Sequence, residues 1–254
     1  MAAAKWPDSQ VRAVSQVAMN VTARVELAFC SMIQADQGYS IVPNVFARSE
    51  MIDLLETLST ANLERTKAGA RHVLTVPAVR QLAGDPRMLE IAEQFVGPRA
   101  APFRATLFDK SPSANWLVVW HQDTALPLRE RIDDTEWGPW STKAGVVYAH
   151  APAWALDQIV ALRVSLDDSL LSNGPLRVLP HSHRGGVLSE QEIDRLSHSI
   201  APVDCVAPSG SVVAMRPLTV HASSKCVDDR PRRVLHVEYA ATIYLQSGIQ
   251  LAVG

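Results

Sequence analysis

Three cysteines in 254 residues, Cys30, Cys205 and Cys226, are too few, too scattered and odd in number for a disulfide framework or a zinc ribbon. A reducing, cytoplasmic setting is the expectation. Neither sign of charge is in excess: 24 Lys+Arg stand against 26 Asp+Glu, a formal net charge of −2. That balance excludes a broad electrostatic grip on nucleic acid or on an anionic membrane. No stretch approaches the roughly 18 uninterrupted apolar residues of a membrane span. The opening MAAAKWPDSQ leads into no apolar signal-peptide core, so no targeting segment is expected. Aromatic residues are only 6% of the chain, yet 47% of it is hydrophobic, enough for a sizeable core. These absences point to one domain over residues 1–254 whose partner is a small molecule; they leave its oligomeric state open.

Hydrophobic periodicity divides the chain near residue 100. Val14, Ala18, Val21, Val25, Ala28 and Met32 recur at three- and four-residue steps and predict an amphipathic helix that ends before Gly38. A second helix is predicted with Ser49 as its N-cap and Met51, Leu54, Leu55 and Leu58 along one apolar stripe. A third is punctuated by Asp85 as N-cap, Pro86 at the first helical position and Gly97 as stop, with Leu89, Ala92, Phe95 and Val96 on one side.

Beyond about residue 102 short β-like runs follow one another: ATLFD, NWLVVWHQD, QIVALRVSL, PLRVLP, SVVAM, LTVHA and RRVLHVEYAATIYL. Such a series predicts a jelly roll, not a βαβ sheet. Ser189 with Glu192 three residues later forms a capping box for one inserted helix. The stretch from Thr124 to Leu156, which holds Trp137, Trp140 and Trp154, is the least regular and reads as a long functional loop. The expected architecture is therefore mainly β with flanking helices. Residues 1–100 give helical support and residues 101–245 form a jelly-roll core.

His121 and Asp123 in WHQD project from one face of an extended chain, because residues two apart point the same way. An imidazole and a carboxylate so placed form two-thirds of a metal site. A second strand-borne histidine, His221 in PLTVHASS, supplies the third ligand, since strands distant in sequence line one barrel mouth in a jelly roll. Two histidines and a carboxylate form the facial triad that leaves three positions open at Fe(II). Eleven residues past His221 stands Arg232, whose guanidinium fork matches the carboxylate of a dicarboxylic co-substrate. Strand alternation puts Arg232, Val234, His236 and Glu238 on one face, so only one of the adjacent Arg232 and Arg233 points inward.

Together with GYSIVPNVF, FDKSPSANWLVVWHQD, VALRVSLDDSLLSNGPLRVLPHSHRGG and PLTVHASS followed by RPRRVLHVEYA, these residues make the chain resemble the phytanoyl-CoA dioxygenase family of Fe(II)- and 2-oxoglutarate-dependent oxygenases. The resemblance implies a double-stranded β-helix, cupin-like in form. It also implies oxidation of a small organic molecule by O2, coupled to decarboxylation of 2-oxoglutarate to succinate and CO2. It makes His121, Asp123 and His221 the iron ligands and Arg232 the residue that grips 2-oxoglutarate, with Ser223 and Lys110 at positions that help to hold it. The aspartate that halogenating relatives lack is present, which implies a hydroxylase rather than a halogenase.

One departure concerns a turn: the family's Pro-Gly-Ser-His reads Pro180-His181-Ser182-His183 here, which puts the local conformation in question. His183 is read as a turn histidine and not a ligand, and His72 and His198 as surface residues. For the organic substrate, Trp137, Trp140, His150, Arg129 and Arg163 are the candidate contacts. Two other readings compete: a metal-binding cupin with an isomerase role, which needs no arginine clamp, and a barrel that serves only to bind or sense.

Overall fold

The computed structural model describes residues 36–111 and 114–254. The helix predicted over Val14 to Met32, and Cys30, lie outside the described residues. Three antiparallel sheets form the body of the molecule. The largest joins β1 (Tyr39–Val42), β2 (Arg65–Thr66), β3 (Gly69–Arg71), β4 (Ala101–Lys110), β9 (Ile159–Ser165), β12 (Val212–Met215) and β14 (Arg232–Ala240), in the order β1-β12-β9-β14-β4-β3-β2. The second runs β11-β10-β13-β5, from β5 (Val118–His121), β10 (Leu176–Val178), β11 (Val203–Asp204) and β13 (His221–Ser223). The third is β6 (Ala125–Leu128), β7 (Trp140–Lys143) and β8 (Val146–His150), ordered β6-β8-β7. The first two carry the strands of the predicted jelly roll; a cavity lies between them.

Alternation on the central strands sets the two faces of the large sheet. Leu107 on β4, Leu162 and Val164 on β9, Ala214 on β12 and Leu235 and Val237 on β14 turn outward into one buried cluster. That cluster is capped by helices α1 (Arg48–Thr60), α2 (Pro77–Ala83) and α3 (Pro86–Val96). From α1 come Met51, Leu54 and Leu58, from α3 Met88, Ile91, Ala92 and Phe95, and Tyr239 Oη donates to Ala83 O at 2.8 Å. Each large side chain so buried stabilises by about 1.5–3 kcal/mol. The helices thus keep one face of the sheet dry and leave the other for chemistry.

Local punctuation agrees with the sequence for α3, with Asp85 as N-cap, Pro86 first and Gly97 as C-cap, and for α5 (Glu190–Ser199), capped by Ser189 with Glu192. For α1 it differs. Ala47, not Ser49, is the N-cap, because the Glu50 carboxylate already accepts the Ala47 N–H at 2.7 Å and closes the first turn. Residues up to 100 are also not helical throughout, since β1, β2 and β3 extend both edges of the large sheet.

The segment from Thr124 to Leu156 is not a loop. It folds as the third sheet and the short helix α4 (Ala153–Leu156), and it buries Leu126, Leu128, Trp137, Ala149 and Leu156 against Phe103, Leu218 and Leu251. Its strands escaped notice because Pro127 sits inside one and exposed Ser141, Thr142 and Lys143 make up most of another, which blurs the period-two signal.

Candidate active site

β5 and β13 are antiparallel neighbours, and their register sets His121 directly opposite His221. Side chains so paired share one face, and the two rings tilt toward each other with centroids 4.2 Å apart. Asp123 lies just past the end of β5, held there by its own N–H on Pro217 O at 3.0 Å. The intervening Gln122 is pinned at both ends of its amide: Nε2 donates to Gly186 O and Leu218 O, and Oε1 accepts from Leu188 N. The link between the first two candidate ligands is therefore rigid.

Both imidazoles are oriented by backbone carbonyls. His121 Nδ1 is 2.8 Å from Val119 O and His221 Nδ1 is 2.9 Å from Thr219 O, so each Nδ1 donates and each Nε2 keeps its lone pair free. The two Nε2 atoms lie 3.7 and 3.5 Å from the Asp123 carboxylate, and the three ligating atoms all fall within 4.8 Å of one another. Atoms bonded to a shared ion at about 2.1 Å are separated by roughly 3 Å, so closure onto a metal needs only small shifts.

The charge states of two of the three match. Burial pushes His221 down to about 4 and leaves it neutral. Burial opposes ionisation of Asp123, but His221 and the His121 hydrogen bond outweigh it and hold its carboxyl well below the usual range. Burial also opposes protonation of His121, yet the hydrogen bond and charge of Asp123 leave it raised.

A cavity of about 110 Å³ opens from this cluster toward the large sheet, walled by Phe108, Trp116, Val118 and Leu176. At its far side Arg232 and Lys110 face each other across β14 and β4. The Ser223 hydroxyl joins them: it accepts from Lys110 Nζ at 2.9 Å and from Arg232 Nη2 at 3.2 Å, and donates to Gly174 O at 2.9 Å. Lys110 also donates to Ser224 O and Arg232 Nε to Asn173 O. Among the described residues no carboxylate pairs with either cation. Burial, and then the charge of Arg232, pushes Lys110 down to about 8, while burial and Arg163 push Arg232 down to about 10. Arg233 turns to the opposite face and grips Asp167 with two nitrogens, at 2.8 and 2.7 Å.

Of the residues expected to contact the organic substrate, Arg163 lines the cavity. The other four are elsewhere, because their segment folds into its own sheet. Trp137 packs edge-on against Trp154 in the buried cluster of that sheet. Trp140 lies on β7 beneath Arg131, Arg129 donates to Gln250 Oε1, and exposed His150 meets Thr124 Oγ1.

Phe108, Trp116 and Leu176 are cavity residues that the sequence reading passed over, although Phe108 alternates with Lys110 on β4 and could have been found from that spacing. His72, expected at the surface, is half-buried and burial lowers its pKa. His183 sits in a helical turn over Ser182–Gly185 and is not one of the clustered ligands. His181 adopts a left-handed φ of 65°, the region a glycine enters without strain, so the side chain at this position does not prevent the turn.

A double-stranded β-helix with a His-X-Asp and a distant histidine at its mouth defines a cupin-like metalloenzyme class. The family model described as phytanoyl-CoA dioxygenase (PhyH) matches residues 35–234, and the chain belongs to that family. Solved structures share its fold. The non-heme alpha-ketoglutarate-dependent epimerase SnoN from nogalamycin biosynthesis aligns with a TM-score of 0.62 at 19% identity, over 85% of this chain and 83% of that one. EctD from S. alaskensis with bound Fe aligns at 0.59 and 19%, over 80% and 73%. The non-heme alpha-ketoglutarate-dependent carbocyclase SnoK, also from nogalamycin biosynthesis, aligns at 0.60 and 16%, over 83% and 82%. Comparison with curated protein sequences finds no match. Among the described residues no helix is long and apolar enough to cross a membrane.

Proposed function

We propose that the protein is an Fe(II)- and 2-oxoglutarate-dependent dioxygenase that hydroxylates a small organic molecule. The observation that carries this reading is the shared cavity: two imidazoles and a carboxylate converge at one side, and at the other lies Arg232, joined through Ser223 to Lys110, neither cation with a carboxylate partner among the described residues. His121, Asp123 and His221 suit Fe(II), a borderline ion that accepts imidazole and carboxylate, and they occupy only half of its six positions. When bound, the iron and 2-oxoglutarate use O2 to oxidise the substrate, and the keto acid leaves as succinate and CO2.

The remaining work falls to the chain. Arg232 and Lys110 receive the distal carboxylate of 2-oxoglutarate, and the Ser223 hydroxyl fixes both donors. Phe108, Trp116, Val118 and Leu176 keep water from that end, which strengthens each polar contact there. Neutral His221 and ionised Asp123 present their two donor atoms without a proton to displace.

A non-oxidative cupin would have no use for two unpaired cations on a dry wall, and that weighs against the isomerase and sensing alternatives. Epimerisation and carbocyclisation, named for SnoN and SnoK, are the other outcomes open to the same iron site. Asp123 fills the ligand position at which a halide would bind, which favours hydroxylation over halogenation.

The test is spectroscopic. Anaerobic Fe(II) with 2-oxoglutarate should give the weak visible charge-transfer band of the chelate, and His121→Ala or Asp123→Ala should abolish it. No band in the parent protein, together with no succinate formed in air, would refute the proposal. With a substrate in hand, isotopically labelled O2 separates hydroxylation, which incorporates the label, from epimerisation or ring closure, which do not.

A further inference from the structure

Two cations of the large sheet have carboxylate partners. Arg104 and Glu238, opposite each other on β4 and β14, form a buried ion pair, and Arg233 is paired with Asp167. Arg163, inside the barrel with the co-substrate cations, belongs to neither pair. It lies on β9 directly opposite His236, with Nη1 2.9 Å from His236 Nδ1 and its guanidinium 5.3 Å from the Phe108 ring. No ion pair joins it to any carboxylate among the described residues.

His236 gives it no counter-charge. Burial, and next the charge of Arg163, push that imidazole well below its usual pKa, so the ring is neutral. Its Nδ1 then accepts from Arg163, while Nε2 turns to Glu238 at 4.0 Å. A guanidinium carries five N–H donors, of which this contact uses one, and the side chain lines the cavity together with Asp123 and His221. A desolvated cation without a partner is costly, and burial accordingly lowers the Arg163 pKa.

Total charge sharpens the point. Fe(II), Asp123 and the 2-oxoglutarate dianion together leave one negative charge, which Arg232 and Lys110 already exceed. Arg163 is a further positive charge, and the Asp123 charge that bears on it is already counted in that sum. Its anchor on β9 also lies level with His236, four residues and roughly 13 Å of strand from Arg232, so the two guanidiniums enter the cavity from separate points.

We infer that Arg163 is a second carboxylate-binding residue, which holds a carboxylate beside the metal ligands at a different place from the one gripped by Arg232. The inference rests on the oxygenase reading of this cavity. The carboxylate has two possible sources, the 1-carboxylate of 2-oxoglutarate or an acid group of the organic substrate, and both present the same fork-matching oxygens.

Two arms of one experiment distinguish them. In the first, the anaerobic Fe(II)-loaded protein is titrated with 2-oxoglutarate, and the visible band gives Kd for the parent, Arg163→Met and Arg163→Lys. In the second, acetate and benzoate are titrated without metal into Arg232→Met, which removes the other anchor, and into Arg232→Met with Arg163→Met or Arg163→Lys. Thermal shift and tryptophan fluorescence report binding there, Trp116 being part of the cavity wall.

If 2-oxoglutarate is the source, Arg163→Met weakens it about tenfold or more and Arg163→Lys restores part of the loss. If the substrate is the source, 2-oxoglutarate affinity stays within about twofold. The acetate or benzoate response seen with Arg163 is then absent with Met and retained with Lys. Unchanged 2-oxoglutarate affinity, combined with a carboxylate response that is absent altogether or survives Arg163→Met, overturns the inference. Should Arg163→Met fail to fold, Arg163→Gln, which keeps a donor for His236 Nδ1, replaces it. Absence of the band in the parent would instead sink the oxygenase reading, and the metal-free arm would still decide the role of Arg163.

Discussion

Neighbouring arginines with opposite orientations make Arg232→Met and Arg233→Met a matched pair of perturbations. Arg232 is 4% exposed and holds Ser223 Oγ and Asn173 O with two of its nitrogens, each at 3.2 Å, which leaves a guanidinium edge for a carboxylate. A hydrogen bond to a charged group contributes about 1.5–3 kcal/mol, and a forked contact makes two. Lys110 and Ser223 survive the substitution and retain part of the binding, so a loss of about 2–4 kcal/mol is expected, or roughly 30- to 1,000-fold in Kd for 2-oxoglutarate. Stability should change little, because the same substitution removes a cation that burial already disfavours. Arg233 is different on both counts. Its side chain is 32% exposed and bound to Asp167, so Arg233→Met should cost up to about 1 kcal/mol of stability and leave the co-substrate Kd unchanged. Anaerobic titration of the Fe(II) protein by the visible band gives both Kd values, and urea denaturation gives both stabilities. An Arg233→Met protein that loses co-substrate affinity as strongly as Arg232→Met, or an Arg232→Met protein within threefold of the parent, would refute the assignment of faces.

Lys110 predicts a pH dependence. Its pKa is lowered from 10.5 to about 8, chiefly by burial and then by Arg232, with Arg163 acting the same way and Cys226 opposing. Between pH 8 and 10.5 the unfolded chain therefore binds the extra proton, and stability without ligand should rise with pH across that window. Over the same window 2-oxoglutarate should bind more weakly as the ammonium is lost. Lys110→Met should flatten both profiles; a co-substrate Kd that is constant from pH 7 to 10 in the parent would count against Lys110 as a carboxylate ligand. Glu238→Gln tests the buried ion pair: it strands Arg104, whose side chain is 14% exposed, and should cost about 3–5 kcal/mol in urea denaturation. The double substitution Arg104→Met with Glu238→Met should recover most of that loss, and no recovery would mean that the two side chains do not act as a pair.

Much of the barrel was open to reading because its strands are long enough to show alternation. β4, β9 and β14 fall on ATLFD, QIVALRVSL and RRVLHVEYA, and the parity of β14 already separates Arg232 from Arg233. Helix ends were clear where a side chain does the capping, as at Asp85 and Ser189, and obscure where Glu50 caps Ala47 from within. The third sheet stayed hidden because its hydrophobic side chains are few per strand and find their partners in distant residues such as Phe103 and Leu251. Trp137 and Trp140 pass for substrate contacts in the sequence for the same reason: composition marks large side chains but not which of two cores receives them.

The candidate ligands emerge from local spacing plus one long-range pairing. His121 and Asp123 are neighbours in sequence, and His221 joins them because β13 pairs with β5. Nothing in the sequence says that Asp123 stands beyond the strand end, where Pro217 O and the Gln122 amide hold it instead of the sheet ladder. The charge pattern, in contrast, acquires meaning only in three dimensions. An inward sheet face that carries Arg104, Lys110, Arg163, Arg232, His236 and Glu238 would be unstable if every charge had to find its partner within the fold. Glu238 satisfies one cation, and the three that remain all approach a cavity whose other wall bears the ligand carboxylate Asp123. The barrel is thus left with positive charge that folding alone does not neutralise, and an anionic ligand between the two sheets would complete its electrostatics as well as its chemistry.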